Sequence, residues 1–227
     1  GLDERQIVCE TGLTRADLIG PRTRLPEETV PTIWNLLDNI YPDQALALHM
    51  VSAAPFSFFG PLAQGVQYAK DLRSALQVLA QYGSVLSDQV HTGLIESDSE
   101  VICISHHPGD VIDGGYGAEV ALALASRLLK ASIRGKNFLV RVEFTHRPLG
   151  LRKVYEDFYE VPVDFRQAHN ALVFSQEALA LPTKQPDPEL FHYVQEGLNS
   201  LNYGHAWVSG LKGLRYSEPH QRNGSRP

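Results

Sequence analysis

Sulfur is scarce in this chain, which has two cysteines and one methionine in 227 residues. Two thiols, Cys9 and Cys103, cannot build the disulfide framework of a small secreted domain. They fit a reducing compartment, so a cytoplasmic location is expected. The methionine, Met50, is internal, and the sequence is expected to be a piece of a longer product. Basic charge is also short. Twenty Lys and Arg stand against 26 Asp and Glu, a formal net charge of −6, whereas nucleic-acid modules carry a basic stripe. These residues alone are not expected to form a phosphate-binding surface. Glycine and proline, 18 and 14 residues, are too few for a low-complexity or collagen-like chain.

Nor is there a clean membrane span. Residues 44–69 contain no Asp, Glu, Lys or Arg, but His49, Ser52, Ser57, Gln64 and Gln67 populate them, and Pro55, Gly60 and Pro61 break them. The segment therefore reads as a buried helix–loop–helix. The first twenty residues mix charged and apolar groups, unlike a signal peptide. Catalytic signatures are missing as well: there is no G-x-S-x-G elbow, H-E-x-x-H, Walker A motif or G-x-G-x-x-G after a strand. No enzymatic activity, cofactor or metal is expected.

The length allows a substantial core, and the periodicity supplies its elements. Val30, Ile33, Trp34 and Leu37 fall at helical spacing behind Pro26 and the acidic Glu27–Glu28. Gln44–Met50 predicts a second, short helix. Asp71 is placed to cap a helix through Leu86 whose face is Leu72, Ala75, Leu76, Leu79 and Gly83. The period then changes: Val90–Glu96 and Glu100–Ser105 predict a hairpin about Ser97-Asp98-Ser99. A long helix is predicted from Gly115 to Ile133, with Val120, Ala121, Leu124, Ala125, Leu128 and Leu129 as its stripe and Gly135 near its end. Phe138, Val140, Val142 and Phe144 alternate as the buried face of a strand. Lys153–Tyr159 predicts a short helix, Val163–Phe165 and Leu172–Phe174 two brief strands around Ala168-His169-Asn170, and Pro186–Leu201 a last helix capped by Asp187. The tail after Asn202 reads as partly disordered, its last ten residues above all. Strands grouped after helices give an α+β fold, a helical N-terminal half packed on a small, mostly antiparallel sheet with a long central helix. A βαβ unit stays open.

Four stretches carry a resemblance. DLRSALQVLAQYGSVLSD (Asp71–Asp88), VRVEFTHRP (Val140–Pro148), YEDFYEVPVDF (Tyr155–Phe165) and NALVFSQEALALP (Asn170–Pro182) stand in order. Together they resemble the amino-terminal regulatory domain of AraC/XylS-family transcription regulators, in the subgroup catalogued as arabinose-binding. The resemblance covers about residues 2–200. It implies a bacterial, cytoplasmic domain that senses a small-molecule effector, forms a homodimer and controls a pair of helix-turn-helix motifs. Residues 1–201 would be the sensing domain and residues 202–227 a tail. Asn202–Pro227 has neither the length nor the periodicity for even one such pair. The DNA-reading half is expected to be absent, either separated from this piece or lost from the gene. DNA would be contacted only through that half.

The effector-binding candidates are Phe56, Phe58, Phe59, Tyr68, Tyr82, His106, Arg141 and Glu143. The aromatics either line a pocket between the helical half and the sheet or plug that seam. His106-His107 resembles a metal motif, but neighbours on a strand point to opposite faces, so a polar loop rim is the expectation. Arg141 and Glu143 share one strand face: desolvated, they would anchor a polar effector; solvated, they form an ordinary pair. His146 reads as structural. Asp113-Gly114-Gly115-Tyr116-Gly117 either holds an anion at a helix start or makes a tight turn. No cluster of carboxylates and amides around stacked aromatics marks a sugar site. The alternative function is a stand-alone small-molecule-binding protein or an enzyme using His106, Glu143 and His146; a closed dimerisation module is a third possibility.

Overall fold

A computed structural model of the chain describes residues 3–19, 29–85, 90–106, 112–135 and 138–202. In chain order come α1 (Glu4–Thr11), α2 (Arg15–Ile19), α3 (Thr29–Ile40), α4 (Leu46–Ala53), α5 (Gly60–Tyr68) and α6 (Leu72–Tyr82). Then follow β1 (His91–Glu96), β2 (Glu100–His106), α7 (Tyr116–Ser132), β3 (Leu139–Phe144), α8 (Arg152–Tyr159), β4 (Val163–Phe165), β5 (Asn170–Ser175) and α9 (Pro188–Asn202). Helices precede and flank a single five-stranded sheet of order β1-β2-β5-β3-β4, an α+β arrangement. Among the described residues, no helix is long and apolar enough to cross a membrane.

Local chemistry sets the boundaries. The Asp71 carboxylate accepts from the Ser74 N–H at 2.9 Å and starts α6. Asp187 does the same for α9, accepting from the Glu189 and Leu190 amides. In the β1–β2 turn, the Ser97 hydroxyl accepts from the Glu100 N–H at 3.1 Å and donates to the Glu100 carbonyl. α6 stops at Tyr82 instead of Leu86, because the chain tightens into a 3₁₀ turn at Gly83–Val85; Leu86 lies outside the described residues, as do Pro26, Glu27 and Glu28. In α3 the stripe holds at Trp34, which is buried, but Val30 faces outward at 47% exposure. The Trp34 ring stacks on Tyr116, 4.8 Å between centroids, and the Tyr116 hydroxyl donates to Asp38, which together fasten α3 to the start of α7.

β3 is central to the topology. It runs antiparallel to β5 and parallel to β4, so β3–α8–β4 is a βαβ crossover inside an otherwise antiparallel sheet. The strands on either side of Ala168-His169-Asn170 are therefore not partners, since β3 lies between them. The expected alternation of Phe138, Val140, Val142 and Phe144 fails at one position. A register shift between Leu139 and Arg141 inserts an extra residue, which turns Val140 outward at 38% exposure and sends Leu139 into the core.

α7 is more buried than one stripe allows. Leu124, Leu128 and Leu129 are buried as expected, but so are Glu119, Leu122, Ala123 and Ser126, while Val120, Ala121 and Ala125 are only half-buried. The helix packs against β2 and β5 on one side and against α4 and α5 on the other, so it presents no purely solvent face. At its C-terminal end Ile133 is the cap, and Gly135 supplies a positive φ two residues on.

Candidate functional site

The structure disperses the residues singled out from sequence. Phe56 and Phe59 form a tilted pair 5.2 Å apart before α5, Phe59 fully buried and Phe56 exposed. The side chain of Phe58 lies outside the described residues. Tyr68 is half-buried against the core. Tyr82 is buried with its hydroxyl donating to Asn199 Oδ1 at 2.8 Å, a tie between α6 and α9. His106 ends β2 in an exposed position, and His107 to Asp110 lie outside the described residues. Arg141 reaches both oxygens of Glu100, at 2.6 and 3.0 Å, and Glu143 at 2.8 Å. These bonds raise the Arg141 guanidinium pKa and occupy its donors with the chain's own carboxylates. Glu143 thus belongs to an ion-pair network while His146 packs on the Phe144 and Phe165 rings, so His106, Glu143 and His146 do not converge.

A polar cluster is instead buried where the first turns of α7 meet α8 and the end of β3. Glu119 of α7 is fully buried and accepts from the Tyr155 hydroxyl at 2.5 Å. Tyr155 also accepts from the Leu149 N–H. Burial dominates the Glu119 carboxyl and nearby Asp113 adds to it, so the pKa rises to about 8 despite the opposing Tyr155 hydrogen bond. The same desolvation, with Glu119 alongside, pushes the Tyr155 and Tyr159 phenols up. Glu119 Oε2 and the Tyr159 hydroxyl have no hydrogen-bond partner among the described residues. His146 Nε2 stands 4.0 Å from Glu119 Oε1, and its Nδ1 lies 2.7 Å from the Arg147 carbonyl.

The glycine-rich entry to α7 explains how this cluster is held. Gly115 has φ +109°, and a Cβ there would stand 2.3 Å from the His146 ring. The Asp113 carboxylate accepts from the Gly115 and Gly117 amides at 2.8 and 2.6 Å. The anion place at this helix start is thus taken by the chain's own aspartate.

Further along α7, an open groove of about 280 Å³ lies between α4, α7 and α8, lined by Ser52, Ser126, Arg127, Lys130 and Phe158. Arg127 Nη1 donates to the Val51 and Ala54 carbonyls at the C-terminal end of α4, at 2.5 and 2.6 Å. Lys130 Nζ donates to the Phe158 carbonyl at 2.9 Å and to Glu160 at 3.1 Å, at the end of α8. Two helix C-termini with exposed carbonyls converge here, and each is capped by a cation from α7. Ser126 is only 2% exposed, and its hydroxyl has no hydrogen-bond partner among the described residues.

With this geometry in hand, residues 1–183 match a family described as the arabinose-binding domain of AraC transcription regulator, N-term. The chain belongs to that family. It is also similar in fold to the crystal structure of the transcriptional regulator CdpR from Pseudomonas aeruginosa, with a TM-score of 0.62 at 18% identity. The match covers 88% of this chain but only 63% of that one. No curated protein matches.

In this AraC-type N-terminal domain a second surface groove, of about 570 Å³, runs between α6, β1 and α9. Gln77, Gln81 and Gln195 bring three side-chain amides beside Phe191, without any charged side chain in the lining. Sequence reasoning found no such cluster because the amides come from helices more than a hundred residues apart. Glu119, Ser126, Tyr155 and Tyr159 escape for another reason: the apolar stripe of α7 says nothing about how its other faces are covered. The signal was present in two tyrosines four apart on a short helix, aimed at one point.

Proposed function

We propose that this domain senses a small-molecule effector at the α7–α8 seam and passes its occupancy to an attached DNA-binding half. Residues 1–201 form the sensing domain in this reading, and residues 202–227 a tail leading away from it. The regulator works as a cytoplasmic homodimer, contacts DNA through helix-turn-helix motifs outside this sequence, and catalyses nothing. One observation carries the reading: Glu119 Oε2, the Tyr159 hydroxyl and the Ser126 hydroxyl are buried on one α7–α8 seam without partners among the described residues, and the groove opens beside Ser126. Buried polar groups are almost always satisfied, so a row of orphans beside an opening is where a ligand completes the hydrogen bonding. Family membership supports the regulatory role.

The thermodynamics ask little. A ligand that binds one arrangement of α8 on α7 better than another by about 1–3 kcal/mol shifts a two-state equilibrium several-fold or more. The test is a thermal-melt panel of small metabolites on this chain, followed by DNA binding of the full-length regulator with and without each hit. An effector that raises the melting temperature and changes DNA affinity supports the role. Flat melts across a broad panel, or hits that leave DNA binding untouched, count against it.

A further inference from the structure

We infer that the groove between α4, α7 and α8 is an oxyanion site, made for the carboxylate of a small organic acid. The ligand's standing as effector rests on the sensing role above; the site itself rests on four features of the groove.

First, Arg127 and Lys130 lie one turn apart on α7 and both line the groove. Second, Arg127 is fixed but not used up. A guanidinium carries five N–H donors, and only Nη1 is engaged, on the two α4 carbonyls. Its Nε and Nη2 donate to no atom among the described residues, and that edge is the one that grips a carboxylate with two parallel hydrogen bonds. No described carboxylate pairs with Arg127, and among the described residues its charge faces the partial negative charge at the end of α4. Lys130 is balanced by Glu160, whose side chain is 78% exposed, a pair that an entering anion can replace at little cost.

Third, helix capping accounts for the two cations but not for Ser126. A hydroxyl inside a helix ordinarily bonds back to a carbonyl one turn earlier. Ser126 Oγ makes no such bond, although it is buried at the groove between the two cations' helix and Phe158. It is a donor in waiting beside positive charge. Ser52, across the groove, already donates to the Leu48 carbonyl at 2.8 Å, which leaves Ser126 as the hydroxyl donor for the anion. Fourth, the Phe158 wall and a volume of about 280 Å³ suit a compact body with one apolar face.

Benzoate and its uncharged counterpart benzamide are the probes, titrated into this chain and followed by amide chemical shifts. Saturable benzoate binding is expected, with benzamide weaker by roughly tenfold or more. Arg127→Ala endangers the α4 cap, so two milder variants carry the test. Lys130→Gln should weaken benzoate by roughly tenfold, and Ser126→Ala by several-fold. Ser126→Ala should also leave the unliganded melting temperature unchanged or raised, because it removes an unsatisfied hydroxyl. Equal binding of the two probes, no saturation in the millimolar range, or variants that bind benzoate like the parent would each overturn the site. A neutral effector whose binding is abolished by Gln81→Ala, in the amide-lined groove, would overturn this groove's standing as the effector site and move the sensing role to α6 and α9. Benzoate held in this groove with no effect on DNA binding by the full-length regulator would uphold the site and remove the role.

Discussion

Replacing Glu119 by Gln tests whether the polar cluster is neutral. The carboxyl is fully buried, and its pKa rises from 4.5 to about 8 mainly by desolvation. Between those two values the folded chain holds a proton that the unfolded chain has released. Stability therefore falls as pH climbs through the window, by at most about 1.4 kcal/mol per unit, and is flat with respect to this group above and below it. At pH 7 the accumulated penalty approaches ~3 kcal/mol. Glutamine needs no proton, and its Oε1 can still accept from the Tyr155 hydroxyl. Its amide replaces an oxygen that has no partner among the described residues. Glu119→Gln should thus stabilise the domain by about 1–3 kcal/mol at pH 7, and by almost nothing near pH 4.5.

Urea midpoints of the two proteins at pH 5, 6, 7 and 8 measure this directly. The chain has nine histidines and many other titrating groups, but they are common to both proteins, so the difference in stability isolates Glu119. Asp113, Tyr116, Tyr155, Tyr159 and His146 are the neighbours that share its field. The expected difference grows with pH up to about 8 and then levels. A Gln variant less stable at pH 7, against a parent whose stability does not decline across the window, would refute the reasoning. Glu119 would then be ionised and paired with a protonated His146, 4.0 Å away.

Three further outcomes follow from the same packing. Gly115→Ala combines a left-handed φ of +109° with a Cβ that meets the His146 ring, and should cost at least about 2 kcal/mol in chemical denaturation. Gly114→Ala, at φ +70° with open space around it, should cost only about 1 kcal/mol, and equal losses at both would show that His146 does not press on Gly115. Iodoacetamide should modify exposed Cys9 in the folded protein and spare Cys103, which is buried with its thiol pKa pushed up to about 12, until denaturant is added. Tyr82→Phe should lose about 0.5–1.5 kcal/mol by urea titration, through its hydrogen bond to Asn199.

The legible part of the sequence was what period and local chemistry encode. The Asp71 and Asp187 caps, the Ser97 turn and the α7 span came from side chains acting on backbone a few residues away, which needs no knowledge of the fold. Val140 was misread because a bulge is a property of two strands in register, and one strand's alternation cannot reveal it. The candidate site was barely legible for a related reason. Aromatics and charges drew attention at Phe56, Arg141 and Glu143, but tertiary structure buried or paired most of them: Phe59 is in the core and Arg141 is held by Glu100 and Glu143. Ser126 and Tyr159 drew none, since a hydroxyl becomes informative only once burial has removed its water.

The placement of the cations gives occupancy of the groove a route outward. Arg127 holds carbonyls at the end of α4 and Lys130 the Phe158 carbonyl in the last turn of α8, both from the C-terminal half of α7. An anion seated there draws on the two side chains that fix these helix ends. Whatever it gains by pulling either cation toward itself weakens a cap, so tight binding and an unchanged position of α4 and α8 compete. A ligand moves such an equilibrium only by its difference in affinity for the two arrangements. α8 bears Tyr155, whose hydroxyl donates to Glu119, and Tyr159, whose hydroxyl is buried beside it without a partner among the described residues. A displaced α8 would strip Glu119 of its one hydrogen bond and admit water, and the carboxyl would fall back toward its ordinary pKa and release its proton. Ligand binding coupled in this way is accompanied by proton release at neutral pH, which calorimetry in buffers of different ionisation enthalpy detects. Loss of that release in Glu119→Gln, with ligand affinity retained, would tie the buried cluster to the groove; release of the same size in the variant would separate them.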